Sequence, residues 1–398
     1  MNEPSPSIGE SNTDDLMAAH LLATAQATDP SSLDRHFGGG EGLLPLWIAE
    51  PYVAPAPAVA SALAKRAGQD WFGYEIRPES SIEAFWNWMA DRHQWHRSDL
   101  QTIVSPSVGT SIGVLIDQLT KPGEGIILQP PVFTDFKPLI TSAGREVVRN
   151  SLVLEDGNYR MDFDDLVAHA ALPTTTALIL CNPHNPVGRV WTVDELAQVA
   201  AICLEHDVAV IADEIHADIV LAPHIFTPFA AVATDQQLVW AALHGPIKTF
   251  GLAGVCDTLV ISNSESVVDR FEQRSSQLHL NRNNVFGLAA FETAYRLGAP
   301  WFDQLLDLVQ TNVQILQERL PPSIELVPLE GTYLAWLDFR GLGMDVPELA
   351  SWLAGSARLG LSPGHWFGRA GAGFARMTIA APAEQIAEAT QRLGRALS

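Results

Sequence analysis

From about residue 129 to residue 261, short apolar runs bounded by turn residues alternate with longer amphipathic stretches, and this alternation restricts the possible folds more than any other feature. Apolar runs too short to be helices, separated by helix-length amphipathic segments, read as buried strands joined by crossovers. The candidate strands are residues 125–129, 177–181, 208–212, 239–242 and 258–262. Such spacing predicts an α/β fold, with a mostly parallel sheet covered by helices on both faces. One of the intervening helices is sharply delimited: Thr192 followed by Glu195 is a capping box ahead of an apolar-periodic run that ends near His206. After Asn284 the pattern turns helical over 285–297 and 301–320, until Pro321 and Pro322 break it. A strand-like stretch at 332–339 and an amphipathic helix at 383–397 complete a second, α+β lobe. A chain of 398 residues exceeds what one core usually serves. The expected division is an N-terminal arm (1–50), a large domain (51–295) and a small C-terminal domain (296–398).

Charge and cysteine usage narrow the partners. A formal net charge of −22 repels a phosphate backbone, so no nucleic-acid partner is expected. Cys181, Cys203 and Cys256 form neither a C-x-x-C pair nor a zinc spacing, which suits a reducing, cytoplasmic setting. Residues 1–15 are polar and acidic, unlike a signal peptide, and no apolar run is long enough to span a bilayer, so no membrane association is expected. His93 and His96 are not spaced as a helical zinc pair and have no third ligand nearby, and no metal is expected.

Four signals fall at or just beyond candidate strand ends, in order: Ser107-Val108-Gly109-Thr110, Asn182-Pro183-His184-Asn185-Pro186-Val187-Gly188, Asp213-Glu214-Ile215-His216 and Lys248-Thr249-Phe250. Open α/β sheets bind ligands beyond the carboxyl ends of their strands, so these four segments can converge on one site. Each is weak in isolation. Asp213 is equally a helix cap, Asn185-Pro186 is turn chemistry, a lone His216 is more often a satisfied polar residue, and one glycine, Gly109, is far short of a Gly-rich loop.

Taken in order, the signals resemble fold-type I pyridoxal 5′-phosphate (PLP) enzymes of the aspartate-aminotransferase type. Within that group the closer resemblance is to the MalY/PatB subgroup of cystathionine β-lyases. It is carried by Leu44-Pro45-Leu46-Trp47-Ile48-Ala49, Phe72-Gly73-Tyr74, Pro183 through Thr192, Asp213-Glu214-Ile215-His216, Lys248-Thr249-Phe250, Thr332-Tyr333-Leu334 and Gly373-Phe374-Ala375-Arg376. It runs from about Leu44 to the C-terminus. The resemblance implies that Lys248 holds the cofactor as a Schiff base and then serves as the base at Cα. It sets Asp213 against the pyridine nitrogen, Asn185 and His216 on the phenolic oxygen, Phe133 on the ring face, and Val108, Gly109 and Thr110 around the phosphate. It gives Arg376 the substrate α-carboxylate, for which a planar guanidinium fork is suited. Tyr74 would reach the neighbouring subunit's site, making a homodimer with shared active sites. Tyr333 and Trp47 line the substrate pocket or belong only to the core.

The sequence also departs from that pattern. Ile247 precedes the lysine where Ser is usual, Gly245 and Cys256 stand where aminotransferases often carry a phosphate-binding Ser and Arg, Glu50-Pro51-Tyr52-Val53 replaces an Asp-Met-Asp-Phe-like run, and Thr378 replaces an Asn. The leading functional reading is a PLP-dependent carbon–sulfur β-lyase that cleaves a small amino-acid substrate, an S-substituted L-cysteine, to thiol, pyruvate and ammonia. The alternatives are an aminotransferase, a decarboxylating or oxidative PLP reaction, and a regulatory binding protein on the same fold.

Overall fold

In the computed structural model, which describes Leu16, Ala19 and residues 24–97 and 100–398, the five expected runs all become strands of one seven-stranded sheet. Residues 1–15, read above as lacking a signal peptide, lie outside the described residues. In chain order the strands are β1 (Gln101–Ser105), β2 (Gly125–Leu128), β3 (Glu146–Arg149), β4 (Thr175–Cys181), β5 (Ala209–Asp213), β6 (Trp240–His244) and β7 (Thr258–Ser262). Their spatial order is β1-β7-β6-β5-β4-β2-β3. β7 runs antiparallel to both neighbours, and every other pair is parallel.

The helices that position the site are α1 (Glu79–His93), α2 (Val108–Leu119), α3 (Val193–Glu205), α4 (Pro246–Thr249), α5 (Val285–Leu297), α6 (Ala299–Arg319) and α7 (Ala383–Ala396). Strand side chains alternate between two apolar layers, as the period of a strand requires. Leu178, Leu180, Val210 and Ala212 pack in one layer with Leu196 and Val199 of α3. Ala177, Ile179, Ala209 and Ile211 pack in the other with Ile112 and Leu115 of α2. With both faces covered, the inner strands read as continuous apolar runs rather than alternating ones. Each fully buried Leu or Val contributes about 1.5–3 kcal/mol. Helix α3 starts as its sequence predicts: Thr192 Oγ1 accepts from the Glu195 N–H at 3.2 Å, while Glu195 Oε2 accepts from the Thr192 N–H at 2.9 Å. Helix α2 differs from expectation. Its periodic run suggests a start at Ser111, but Ser107 is extended and its Oγ accepts from the Thr110 N–H at 3.1 Å, so Val108, Gly109 and Thr110 form the first helical turn.

The second lobe is a four-stranded antiparallel sheet of β8 (Glu325–Leu326), β9 (Leu334–Asp338), β10 (Ser362–Pro363) and β11 (Phe374–Thr378), in the order β8-β9-β11-β10. Helix α7 buries Ile386, Ala389, Thr390 and Leu393, one stripe at helical spacing. The segment Leu44–Pro45 pairs in parallel with Leu359–Gly360. Leu46 extends the attachment, donating to the Gly360 carbonyl and accepting from the Thr378 N–H, each at 2.9 Å. The chain after Leu44 is therefore fastened to the second lobe and carries Ala49 and Glu50 back toward the first. No helix among the described residues is long and apolar enough to cross a membrane.

Candidate active site

Five parallel strands, β1, β2, β4, β5 and β6, end at the same edge of the sheet, at Ser105, Leu128, Cys181, Asp213 and His244. The segments just beyond these ends hold Ser107 and the start of α2, Phe133, Asn185, His216 and Lys248. Lys248 sits in the single turn of α4, which opens with Pro246 in its first turn, where a missing N–H costs nothing. Its Nζ donates to the Ala49 carbonyl at 2.7 Å. Burial, with the Arg376 guanidinium adding to it, lowers the ammonium pKa to about 8, although Glu50, Asp213 and Asp135 pull the other way. Asp213 is buried, and burial raises its carboxyl to about 6 against the opposing pull of the Ile215 N–H, Lys248 and His244. Its Oδ1 accepts from the Ile215 N–H at 3.3 Å.

Arg376 lies on β11 in the second lobe and points across the seam. Its Nη1 donates to Asn185 Oδ1 and its Nη2 to the Trp47 carbonyl, both at 2.9 Å, and Nη2 also reaches Ser362 Oγ at 3.3 Å. The guanidinium lies 4.8 Å from the Phe367 ring centre, and its Nε has no partner. Burial lowers its pKa to about 10, so it remains a cation at neutral pH. Asn185 thus spends its carbonyl oxygen on Arg376 and keeps its amide N–H groups to donate. His216 is buried, and burial, reinforced by Lys248 and Arg376, holds its imidazole neutral with Nδ1 unpartnered. Tyr333 meets the His216 ring edge-on and offers its hydroxyl to the carbonyls of Ala49 and Lys248, both at 3.4 Å. Trp47 is buried, with its indole N–H on the Ala27 carbonyl at 3.1 Å, so its part in the site is its own backbone carbonyl.

Phe133 is half-buried and packs edge-on against Phe136. Tyr74 stands outside this cluster: it is 84% exposed, with the Arg282 guanidinium 4.7 Å over its ring. At the start of α2, a side chain at Gly109 would meet nothing within 4 Å, leaving the first-turn N–H groups of Val108 and Gly109 open to an anion.

The departures in sequence have physical causes. A Cβ at Gly245 would lie 3.2 Å from both the Asp257 carbonyl and Thr258 Cα, so the expected Ser would press on the start of β7. Cys256 is buried with its thiol pushed up to about 12, hence neutral. Nearby, the Arg77 guanidinium pairs with Asp257 and lies over the Phe291 ring.

Sequence reasoning named neither of two carboxylate networks beneath the site. Asp218 accepts from Trp88 Nε1 at 2.8 Å, pairs with His93 Nε2 at 2.8 Å and accepts from Thr249 Oγ1 at 2.6 Å, tying α1 to the residue after Lys248. Glu214 accepts from the Phe229 N–H at 2.6 Å and pairs with His244 at 2.8 Å. The proximity of Asp218 to the Asp213-Glu214-Ile215-His216 run was the available signal. Glu50, noted only as a departure, has its carboxyl raised by burial and opposed by Lys248. Among the described residues no cluster of His, Cys, Asp and Glu could hold a metal ion.

A lysine of lowered pKa, a buried acid and a seam arginine gathered at the carboxyl edge of an α/β sheet define a site for amino-acid chemistry, and the chain belongs to the class I and II aminotransferase family, whose model matches residues 42–393. Among curated relatives, cystathionine beta-lyase PatB of Bacillus subtilis is 33% identical over 363 residues, covering 89% of this chain and 92% of that protein. Among solved structures, PLP-containing cystalysin of Treponema denticola superposes with a TM-score of 0.88 at 29% identity, covering 96% of this chain and 98% of that one. The PLP-bound C–S lyase of Staphylococcus hominis gives a TM-score of 0.87 at 25% identity, covering 98% and 99%.

Proposed function

We propose that this protein is a PLP-dependent carbon–sulfur β-lyase acting on S-substituted L-cysteines. The observation that carries the reading is Lys248: an amine whose pKa is brought to about 8, at the strand edge with Asp213 and across the seam from Arg376. PLP fits the residues present. The open first turn of α2 suits its phosphate, and Asp213, its carboxyl raised by burial, would be held ionised by a protonated ring nitrogen set against it. Val108, Gly109 and Thr110 would hold the phosphate, Asn185 and His216 the phenolic oxygen, and Phe133 the ring face. When bound, the cofactor supplies an electron-accepting ring for the charge left at Cα.

The chain's own residues do the rest. Arg376 holds the α-carboxylate by its charge and its unpartnered Nε–H and so fixes Cα against Lys248. At pH 7 about a tenth of an amine with this pKa is uncharged, far more than for an ordinary lysine, and Lys248 can take the Cα proton. The Cβ–S bond then breaks with its electron pair going to sulfur, and the thiolate leaves. In sum, one S-substituted cysteine and one water give one thiol, one pyruvate and one ammonium. Aminotransfer is the second reading, favoured by the family description. Incubation with S-alkyl cysteine and no keto acid separates the two: equimolar thiol and pyruvate are expected, and strict dependence on a keto acid overturns the lyase.

We also infer a homodimer with shared sites. Trp71, Phe72, Tyr74 and Ile76 are all more than half exposed, an apolar strip in one short segment, and a second copy of the chain is its expected cover. Sedimentation of a Tyr74→Glu variant as a monomer, against a wild-type dimer, checks this. The buried thiols of Cys181, Cys203 and Cys256 suit the cytoplasm. The division into an arm (1–50), a cofactor-binding domain (51–295) and a small domain (296–398) is retained as our reading of the functional units.

A further inference from the structure

Lys248 is rooted in a very short element. Helix α4 is a single turn between the end of β6 and Phe250, closed by the Phe250 N–H on the Pro246 carbonyl at 2.9 Å. One turn fixes several dihedrals for one backbone bond and does not hold itself. Its free end is held by a side chain: Thr249 is buried, and its Oγ1 donates to Asp218 Oδ2 at 2.6 Å.

Asp218 is itself fixed from two directions. Its Oδ1 meets Trp88 Nε1 and His93 Nε2 of α1, each at 2.8 Å, and the Trp88 ring packs edge-on against Phe250 with 5.3 Å between centres. The carboxylate also stands in the turn that follows β5, which carries Asp213 and His216. That turn is closed by the Ala217 N–H on the Glu214 carbonyl and the Ile219 N–H on the His216 carbonyl, both at 2.9 Å. The segment bearing the two groups set against the cofactor ring is thus the segment that grips the residue after the lysine.

The grip is mechanical and not electrostatic, since the charges acting on the Lys248 amine are those of Arg376, Glu50, Asp213 and Asp135, with Asp218 not among them. The Ala49 carbonyl does not serve the same end. It holds Nζ at 2.7 Å while the amine is idle and must release it when the nitrogen turns to the cofactor or to Cα. The bond at Thr249 makes no such demand, because it lies on the neighbouring residue and points away from the amine's path.

We propose that Thr249 and Asp218 are positioning residues for the Cα proton transfer, their bond registering the root of Lys248 to the turn that bears Asp213 and His216. The proposal rests on the PLP-dependent reading above, and it holds for lyase and aminotransferase alike because both begin by removing that proton.

The test compares Thr249→Val, which keeps the shape and loses the donor, with Thr249→Ser, which keeps the donor. A misplacement of about one ångström at a reacting group costs about a hundredfold, so in samples matched for bound PLP Thr249→Val is expected to lower kcat for thiol release from S-butyl-L-cysteine about ten- to hundredfold, with KM within about threefold of wild type. Thr249→Ser is expected to restore kcat to within about threefold. Covalent loading of PLP, followed by visible absorbance, reads the same amine without any turnover: Thr249→Val should load about tenfold more slowly, with its pH midpoint still near 8. Loading or kcat within about threefold of wild type in Thr249→Val, an equal loss in Thr249→Ser, or a moved midpoint each overturns the proposal. If wild type releases no thiol the lyase reading fails, and the loading rates judge the positioning role by themselves. Should Thr249→Val not fold, Thr249→Ala, which leaves room for water on Asp218, is held to the same figures.

Discussion

Replacing Arg376 with Ala tests the site most directly, because the structure counts what is lost. A guanidinium has five N–H donors, and three are engaged, on Asn185 Oδ1, the Trp47 carbonyl and Ser362 Oγ. Two remain, the unpartnered Nε–H and one on Nη1. They lie on different edges of the guanidinium, so a carboxylate meets one of them unless Nη2 gives up its 3.3 Å contact with Ser362. A hydrogen bond to a charged group is worth about 1.5–3 kcal/mol. Arg376→Ala is therefore expected to lower kcat/KM for S-butyl-L-cysteine by at least about 10- to 100-fold. Arg376→Lys keeps the charge but not the fork, and a smaller loss follows. Folding is a separate matter: removal of the side chain strands Asn185 Oδ1, at about 1–3 kcal/mol if water does not reach it, while the Trp47 carbonyl keeps the Ser362 hydroxyl at 2.8 Å. Thiol release measured in samples matched for bound PLP, beside thermal unfolding of the same samples, keeps the two effects apart. An Arg376→Ala enzyme that folds, binds PLP and retains kcat/KM within about fivefold of wild type refutes the assignment of the α-carboxylate to this residue.

Three further outcomes follow from groups described above. Lys248 must be uncharged to attack the cofactor aldehyde, so covalent loading of PLP, followed by visible absorbance, should slow as pH falls through about 8 and reach its plateau above it; a midpoint near the ordinary lysine value contradicts the burial argument, and Lys248→Ala should give neither the band nor turnover. Burial alone would raise the Asp218 carboxyl, but bonds from His93, Thr249 and Trp88 more than offset it and hold it low. Its stabilisation is thus full above the unfolded value of about 4 and lost as pH falls through the folded one. Asp218→Ala should cost about 3–5 kcal/mol at pH 7 in urea unfolding, with a smaller deficit in acid, and a loss under 1 kcal/mol counts against the network. Gly245→Ser should not gain phosphate affinity but destabilise the protein by about 1–3 kcal/mol, because the new atoms meet the backbone of β7; tighter PLP binding in that variant contradicts the steric explanation.

Regular elements with a clean period were legible in the sequence. The helix at 285–297 and the strand at 258–262 agree with expectation at both ends, and the Thr192 box fixes the start of α3. Helix α1 was not legible, since it buries Ser81, Ile82, Ala84, Phe85, Trp86, Trp88 and Met89 and so lacks the single apolar stripe that marks a surface helix. Nor does an apolar run state its direction, which is why antiparallel β7 reads like its parallel neighbours. In the site, strand-end motifs and their order pointed to Lys248, Asp213 and Asn185, and Arg376 came only with the family resemblance. The wiring did not show, because Arg376 finds its partners 191 and 329 residues away and one of them is a backbone carbonyl, which any residue can supply.

The segment after Leu44 gives the site a mechanical property. Lys248 is rooted in the first lobe, but the carbonyl that holds its amine belongs to Ala49, on a strip of chain stitched to the second. A relative shift of the lobes by about one ångström stretches that contact beyond hydrogen-bonding range. Cleft width therefore sets how tightly the reactive nitrogen is leashed.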